Sequence, residues 1–555
     1  MPTPDASAFT RMQKLKSIVG QSRTSNQKTI THSYQYVPKT SALLDFLPSF
    51  SNKSGTVIIS SAAPVVDGTP SYDTLTLTQP VTNSVYVCRY NSSGRINWAA
   101  RLSGTTGAND GGNSVYVDSN EFVYVTGYYT SASLTAYNAN GTAFATSLSS
   151  SGSTDGFLVK YSPLGVVQWI TRFGGSLSDI GNGVVADSAG NVTVVGRYTS
   201  SVFTAYNLDG SAFGTTLSNF SGTSQDCFII QYNSNGTVKW LTNLGGSGND
   251  INKSIALDSL GNLYLTGTNN SASFTAGNSD GTQIVTPVVA GGNDSFIIKY
   301  SNSGIFQWIS ALGGTGNDAG VSIFVDSAGF VYATGVYTSV TFTASNSDGS
   351  VFGTLANAGS SDVFLVKYNG SGNCQWITRL AGSAGSESPS GLSVDLAGNI
   401  YITGGYSNDQ IVLYNSDGTT FKTFANSNSS DVFVAKYNSS GFALWGARMN
   451  GTNNSDTGSG ISVDSTGNCY VTGHYYSTNL VVYNADESIY GTLTNINPAD
   501  SFIVKYNTNG GVTWMVGLSG GSDDRGLSIY VSNNGNVYGT GYYGSNPLTL
   551  PSIGF

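Results

Sequence analysis

Between Asp155 and Tyr161 apolar side chains recur on alternate positions, Phe157, Val159 and Tyr161, over a length that suits one strand. Ser162-Pro163-Leu164-Gly165 turns the chain, and Val166 to Arg172 reads as a second strand carrying Trp169. A glycine-rich loop, Gly174 to Gly183, leads to a third strand at Val184 to Asp187. After a Ser188-Ala189-Gly190-Asn191 turn, a fourth strand, Val192 to Tyr198, completes the unit.

This unit recurs. The chain has seven tryptophans, Trp98, Trp169, Trp240, Trp308, Trp376, Trp445 and Trp514, spaced 71, 71, 68, 68, 69 and 69 residues apart. A glycine stands four residues before each: Gly94, Gly165, Gly236, Gly304, Gly372, Gly441 and Gly510. The fourth strand repeats as Val-Thr-Gly-x-Tyr, and the third usually ends in an aspartate that opens an Asp-Ser-x-Gly-Asn turn. There the Asx side chain bonds forward to turn amides and glycine supplies a positive φ. Four short strands, seven times, with no helical pattern between them, predict an all-β fold, a seven-bladed β-propeller.

Each repeat is longer than a four-stranded blade needs. The surplus lies after the fourth strand, in segments that turn at Asn138-Ala139-Asn140-Gly141, Asn207-Leu208-Asp209-Gly210 and their relatives. Asn-Gly or Asp-Gly between apolar runs predicts one extra β-hairpin per blade. The first repeated element, Val85 to Leu102, is the tryptophan half of a blade, and the last, Leu527 to Tyr543, is the other half. Joined, they make a last blade closed by both termini, which removes exposed sheet edges. Pro547-Leu548-Thr549-Leu550 matches the start of an insert, and residues 54 to 83 are placed to complete that hairpin.

Residues 1–53 differ in kind. They carry a charge of +5, which leaves −14 for the remainder of a chain whose total is −9. Phe9, Met12, Leu15 and Ile18 recur at helical spacing beside Arg11, Lys14 and Lys16, the pattern of a short basic amphipathic helix or docking arm, with a disordered tail as the alternative. The domain reading is therefore an arm, 1–53, and a propeller, 54–555, with the repeat core at about 84–543. The acidic body offers no field for double-stranded nucleic acid. No apolar run reaches transmembrane length, and no signal peptide is recognised. Cys88, Cys227, Cys374 and Cys469 have no framework spacing and read as buried free thiols.

The pattern Asp-x-Phe-x-x-Lys-Tyr, then Gly-x-x-x-Trp, Gly-Gly-x-x-x-Asp and Asp-Ser-x-Gly-Asn-Val-Tyr-Val-Thr-Gly resembles the SBBP family of β-propeller repeats, over roughly residues 84 to 543. Gly-x-x-x-Trp is also similar to the tryptophan-docking motif of quinoprotein propellers. That similarity implies that Trp169 and its six equivalents pack between blades and do not stack on sugars. The segment Asp5-Ala6-Ser7-Ala8-Phe9-Thr10-Arg11-Met12-Gln13-Lys14-Leu15 is similar to N-terminal tags on structural proteins of large DNA viruses. This implies a virion or cell-surface component, with capsid proteins as partners.

Every glycine-rich loop holds one acid: Asp110, Asp179, Asp250, Asp318, Glu387, Asp456 and Asp524. With the third strand innermost, the seven would ring one mouth of the axial channel. Such a ring suits cations, calcium foremost; the plainer role is capping of loop amides, with no cofactor. Candidates for catalysis are sparse: two histidines, His32 and His474, and three glutamates, Glu121, Glu387 and Glu487, with no nucleophile-base cluster. The expected function is a non-catalytic structural or interaction module attached through its arm. The alternative is a carbohydrate-binding or carbohydrate-active propeller, in which acids facing across the channel could act on a glycan.

Overall fold

The computed structural model describes residues 58–61, 73–79 and 83–553, except 105–107, 223, 287–290, 384, 408–409, 426–428, 452–453 and 496–497. The basic arm, with Phe9, Arg11, Met12, Lys14, Leu15, Lys16 and His32, lies outside the described residues. Every regular element among the described residues is a strand.

The strands form seven blades around an axis. In the second blade the order outward is Asp179–Ala186, Val192–Tyr198, Asp226–Tyr232, Val238–Gly245, Phe274–Gly277 and Gln283–Thr286, all antiparallel neighbours. The expected third strand of the repeat is the innermost, and it starts earlier than its apolar pattern suggested. Asp179 to Gly183, read from sequence as loop, is already strand, paired from Asp179↔Tyr198 onward with a bulge between Gly181 and Gly183. Glycines mark close approach here: a Cβ on Gly181 would lie 2.3 Å from Thr126 Oγ1 of the preceding blade, and one on Gly196, on the neighbouring strand, 2.0 Å from Ile180 O.

The third strand of each blade is buried on both sides; Asp155–Tyr161 has no exposed residue. It packs between neighbouring blades, and its near-continuous apolar run follows from that. Seven hydrophobic clusters result, each joining adjacent blades.

The extra hairpins do not project from the blades that precede them in sequence. Phe274–Thr286 follows Leu263–Asn269, a strand of the third blade, yet it pairs with the second blade through Leu244↔Ala276 and Gly245↔Thr275. The chain then returns to the third blade at Asp294–Tyr300. Five inserts add fifth and sixth strands to the first five blades in this way, so each junction is crossed more than once by the chain. Aromatic packing explains the step back. Phe203, fully buried on such a hairpin, stacks on Phe228 of the next blade at 4.8 Å and lies 6.1 Å from Phe173 of the blade it joins.

The seventh blade unites the two ends of the chain. Asp524–Val531 and Val537–Tyr543 supply the inner strands, and Ser84–Tyr90 and Ile96–Ser103 the next two, with the register Ser84↔Tyr543 to Tyr90↔Val537. The hairpin Ser133–Ser149 completes it. The sixth blade has no seventh insert to receive. Leu548–Pro551 takes that place through a Ser519↔Thr549 bridge, and it is extended by Asp73–Leu77 and Ile58–Ser61. Residues from both ends therefore close two blades.

Candidate functional site

The tryptophans occupy the blade junctions. Gly165 adopts φ +73°, and a Cβ there would lie 2.8 Å from the Trp98 ring of the preceding repeat. Trp98 Nε1 donates to Pro163 O in the same turn at 3.0 Å. Trp376 likewise donates to Ser439 O at 3.0 Å, Trp445 to Thr508 O at 3.0 Å, and Trp514 to Ser92 O at 3.1 Å. The two halves of Gly-x-x-x-Trp thus meet between repeats and not within one.

A lysine stands opposite the tryptophan on the paired strand in five of the seven repeats, and Arg89 does so in the first. Lys367, Lys436 and Lys505 donate to the carbonyls of Ser439, Thr508 and Ser92, the acceptors their tryptophans use. Each ammonium also lies over a tyrosine ring, as Lys436 does over Tyr401 at 4.9 Å. In the third repeat Gln231 stands in for lysine: its Oε1 accepts from Trp240 and its Nε2 donates to Asn302 Oδ1 at 2.9 Å. Asp-x-Phe-x-x-Lys-Tyr carried this signal, a cation on an otherwise buried strand in six of the seven repeats, but sequence reading left the lysine without a role.

Six of the seven acids are the first residues of the innermost strands, Asp250 immediately precedes Ile251–Leu257, and each is 0–1% exposed. Six share one arrangement. Asp179 Oδ1 accepts from the amides of Thr199 and Ser200, and Oδ2 from Ser200 Oγ at 2.6 Å and Gly175 N at 2.7 Å. Asp110 pairs with Ser131, Asp250 with Ser271, Asp318 with Ser339, Asp456 with Ser477, and Asp524 with Ser545. The serine two residues beyond the end of the fourth strand, in six of the seven repeats, is thus the partner that sequence analysis missed; its own periodicity could have revealed it. The acid caps the link to the hairpin.

Behind each acid but the first stands the aspartate of Asp-x-Phe. In the fifth repeat this pairing is closest: Glu387 Oε2 accepts from Gly382 N at 3.0 Å, and its longer side chain brings its carboxyl to Asp362. Burial and the neighbouring Asp362 push Glu387 up to about 8. Burial and Asp250 raise Asp226 to about 7, and burial with Asp318 does the same to Asp294.

One position is left free by the repeat: x of Val-Thr-Gly-x-Tyr. It carries Tyr128, Arg197, Thr268, Val336, Gly405, His474 and Tyr542, and in six of the seven strands it is the only residue not buried. All lie at the acid-bearing end of the strands. Between the sixth and seventh blades the Arg525 guanidinium lies between Tyr476 and Tyr542, at 5.5 and 5.6 Å, and pairs with Asp523 at 3.0 Å. His474 packs edge-on to Tyr476; burial and Arg525 hold it down to about 4, so it is neutral near pH 7.

The other catalytic candidates serve the architecture. Glu121 accepts from Asn534 and Asn536 and faces Arg89 at 3.7 Å, bridging the first and last blades. Glu487 pairs with Lys422 and Arg448 at 2.9 and 3.1 Å on an outer hairpin. The four cysteines are buried free thiols. Serines such as Ser114 and Ser528 line the axial cavity of about 260 Å³ and accept amides of the neighbouring innermost strand, Val184 N and Val115 N. Among the described residues no three His, Cys, Asp or Glu side chains converge on one point, and no helix is long and apolar enough to cross a membrane.

Residues 168–203, 239–275, 375–409 and 444–479 match the profile of the SBBP beta-propeller repeat. Each match runs from the junction tryptophan through the glycine loop and the acid to the start of the hairpin. Four of the seven repeats are thus similar to the SBBP β-propeller repeat. The chain is also similar to an uncharacterized WD repeat-containing protein of Acanthamoeba polyphaga mimivirus, 25% identical over 511 residues, or 82% of this chain and 36% of the relative. The chain therefore spans about a third of that relative's length. In this chain the most repeated side chains, Trp, Lys, Asp and Ser, are those that hold blade to blade.

Proposed function

We propose that this propeller is a non-catalytic interaction scaffold, with residues 54–555 as the recognition body and the basic arm 1–53 as its attachment to a larger assembly. The observation that carries this reading is the free position x: the junction residues are spent on neighbouring blades, whereas Tyr128, Arg197, His474 and Tyr542 differ from blade to blade at one end of the strands. A surface built by varying one position on a constant frame suits recognition of a protein partner. The viral source of the relative supports a virus particle as that assembly; capsid proteins are the partners proposed from the similarity of residues 5–15 to N-terminal tags of viral structural proteins.

The test is co-sedimentation of the full chain and of a chain lacking residues 1–53 with the native particle. Loss of binding on truncation is the expected result; unchanged assembly removes the attachment role. In a full chain carrying both Arg525→Ala and Tyr542→Ala, weakened capture of the partner would support the free position as the recognition surface.

A carbohydrate partner is the second reading, favoured by Tyr476 and Tyr542 flanking Arg525 at that same end. A glycan array with and without calcium tests it, and silence in both conditions removes it.

A further inference from the structure

Three blade junctions each hold two buried aspartates with oxygen atoms turned to a common space. Asp155, Asp226 and Asp294 are 0, 0 and 3% exposed, and the Oδ1 atom of each has no hydrogen-bond partner. Those atoms are aimed at a glycine that precedes the neighbouring acid. Asp155 Oδ1 and Asp179 Oδ2 lie 2.3 and 3.1 Å from the point where a Cβ on Gly174 would stand. Asp294 Oδ1 and Asp318 Oδ2 lie 2.2 and 3.1 Å from the same point at Gly313. At Gly245 the nearest atom is Asp226 Oδ1, at 2.5 Å, and Asp250 is close enough to bear on its ionisation. Any other residue at these glycines would fill the space with carbon.

Further oxygen atoms stand at the next residue of each loop. The carbonyls of Val202, Ser273 and Thr341 lie 2.2, 2.2 and 2.4 Å from the Cβ positions of the following glycines, Gly175, Gly246 and Gly314. Ser200, Ser271 and Ser339 add a hydroxyl each. A buried carboxylate oxygen with no donor, facing a second carboxylate, is costly unless a positive charge joins them. Oxygen-only donors, irregularly arranged and mixing carboxylate, carbonyl and hydroxyl, suit calcium, whereas magnesium demands a near-ideal octahedron.

We infer that the Asp155/Asp179, Asp226/Asp250 and Asp294/Asp318 pairs are calcium sites that tie successive blades together. The first repeat departs from the pattern, with Ser84 in the place of the second carboxylate, and the fifth departs through Glu387, whose extra methylene closes the gap to Asp362. The sixth and seventh repeats carry Asn450 and Ser519 where the three proposed sites have Gly174, Gly245 and Gly313, so a side chain occupies the space; none of these four repeats is counted as a site.

The experiment uses the full chain, stripped with EDTA and then given calcium chloride alone. Native mass spectrometry should count three added calcium ions, and the melting temperature should rise with calcium and much less with equimolar magnesium. Asp226→Ser and Asp294→Ser imitate the first repeat, a composition the fold already contains. Each should lower the count by one and shrink the calcium-induced shift, and in EDTA each should melt higher than the native chain because one buried charge is gone. Asp209→Ser, on an exposed hairpin turn, should leave the count at three. No bound calcium and no shift in the native chain would overturn the inference, and this measurement decides even if a variant fails to fold. An unchanged count in both serine variants would overturn it equally.

Discussion

Trp514 Nε1 donates to the carbonyl of Ser92 at 3.1 Å, across 422 residues of chain. Lys505 donates to the same oxygen at 3.0 Å, and a Cβ on Gly94 would lie 3.2 Å from the Trp514 ring. The contact that elsewhere joins consecutive repeats here joins the last to the first.

Trp514→Phe keeps most of the apolar wedge but removes the donor, and should cost about 1–3 kcal/mol in urea unfolding. Trp514→Ala should cost about 3–5 kcal/mol. Trp240→Phe should cost less than Trp514→Phe, because its acceptor is the Gln231 side chain, which can turn to another partner. Equal losses would show that the carbonyl geometry contributes nothing.

Glycine substitutions separate backbone strain from close approach. Gly349 and Gly372 have φ of +83° and +82°, so alanine at either pays about 1–2 kcal/mol for a left-handed conformation. A Cβ on Gly349 meets nothing, whereas one on Gly372 would come within 2.6 Å of Ser347 Cβ and 2.9 Å of Trp308. Gly372→Ala should therefore be the more damaging in thermal melts, by a further 1–3 kcal/mol or so.

Deleting residues 527–555 removes the inner strands of the seventh blade and the Leu548–Pro551 strand of the sixth. Ser84–Tyr90 then loses its inner neighbour and becomes a sheet edge, which should produce aggregation on gel filtration. A monodisperse product with unchanged melting would contradict closure by both termini.

Glu387 makes stability depend on pH. Its folded value, about 8, lies above its ordinary value of 4.5, so the folded state holds the proton more tightly than the unfolded chain. That contribution is intact below about pH 4.5 and is lost as pH rises toward 8, at up to about 1.4 kcal/mol per pH unit. Glu387→Gln, measured in EDTA, should flatten the decline between pH 5 and 8. A variant with the native slope would place the pH dependence elsewhere.

The amino-acid sequence by itself determined the strands, the turns, the number of blades and the sharing of the last blade between both ends. Alternation, Asn-Gly turns and a 68–71-residue period are properties of short segments, and seven incomplete units can bury their faces only against one another. The spacing of Trp169 and its equivalents sets the period, but their place between blades came from the similarity of Gly-x-x-x-Trp to the tryptophan-docking motif.

Only the tertiary structure decided where the hairpins go and what the acids face. The Val202–Ser218 hairpin pairs with the blade behind it because Phe203 fits between Phe173 and Phe228, which lie on two different blades. Asp179 looked like a loop residue at a channel mouth because Gly181 and Gly183 obscure the strand; the glycines are there for close contact between innermost strands. The fate of a carboxylate depends on atoms from several segments, here Ser200, Gly174 and Asp155, and no window of sequence brings those together. Position x was visible as a variable letter, but that it is the half-buried site on an otherwise buried strand follows only from the packing of blade against blade.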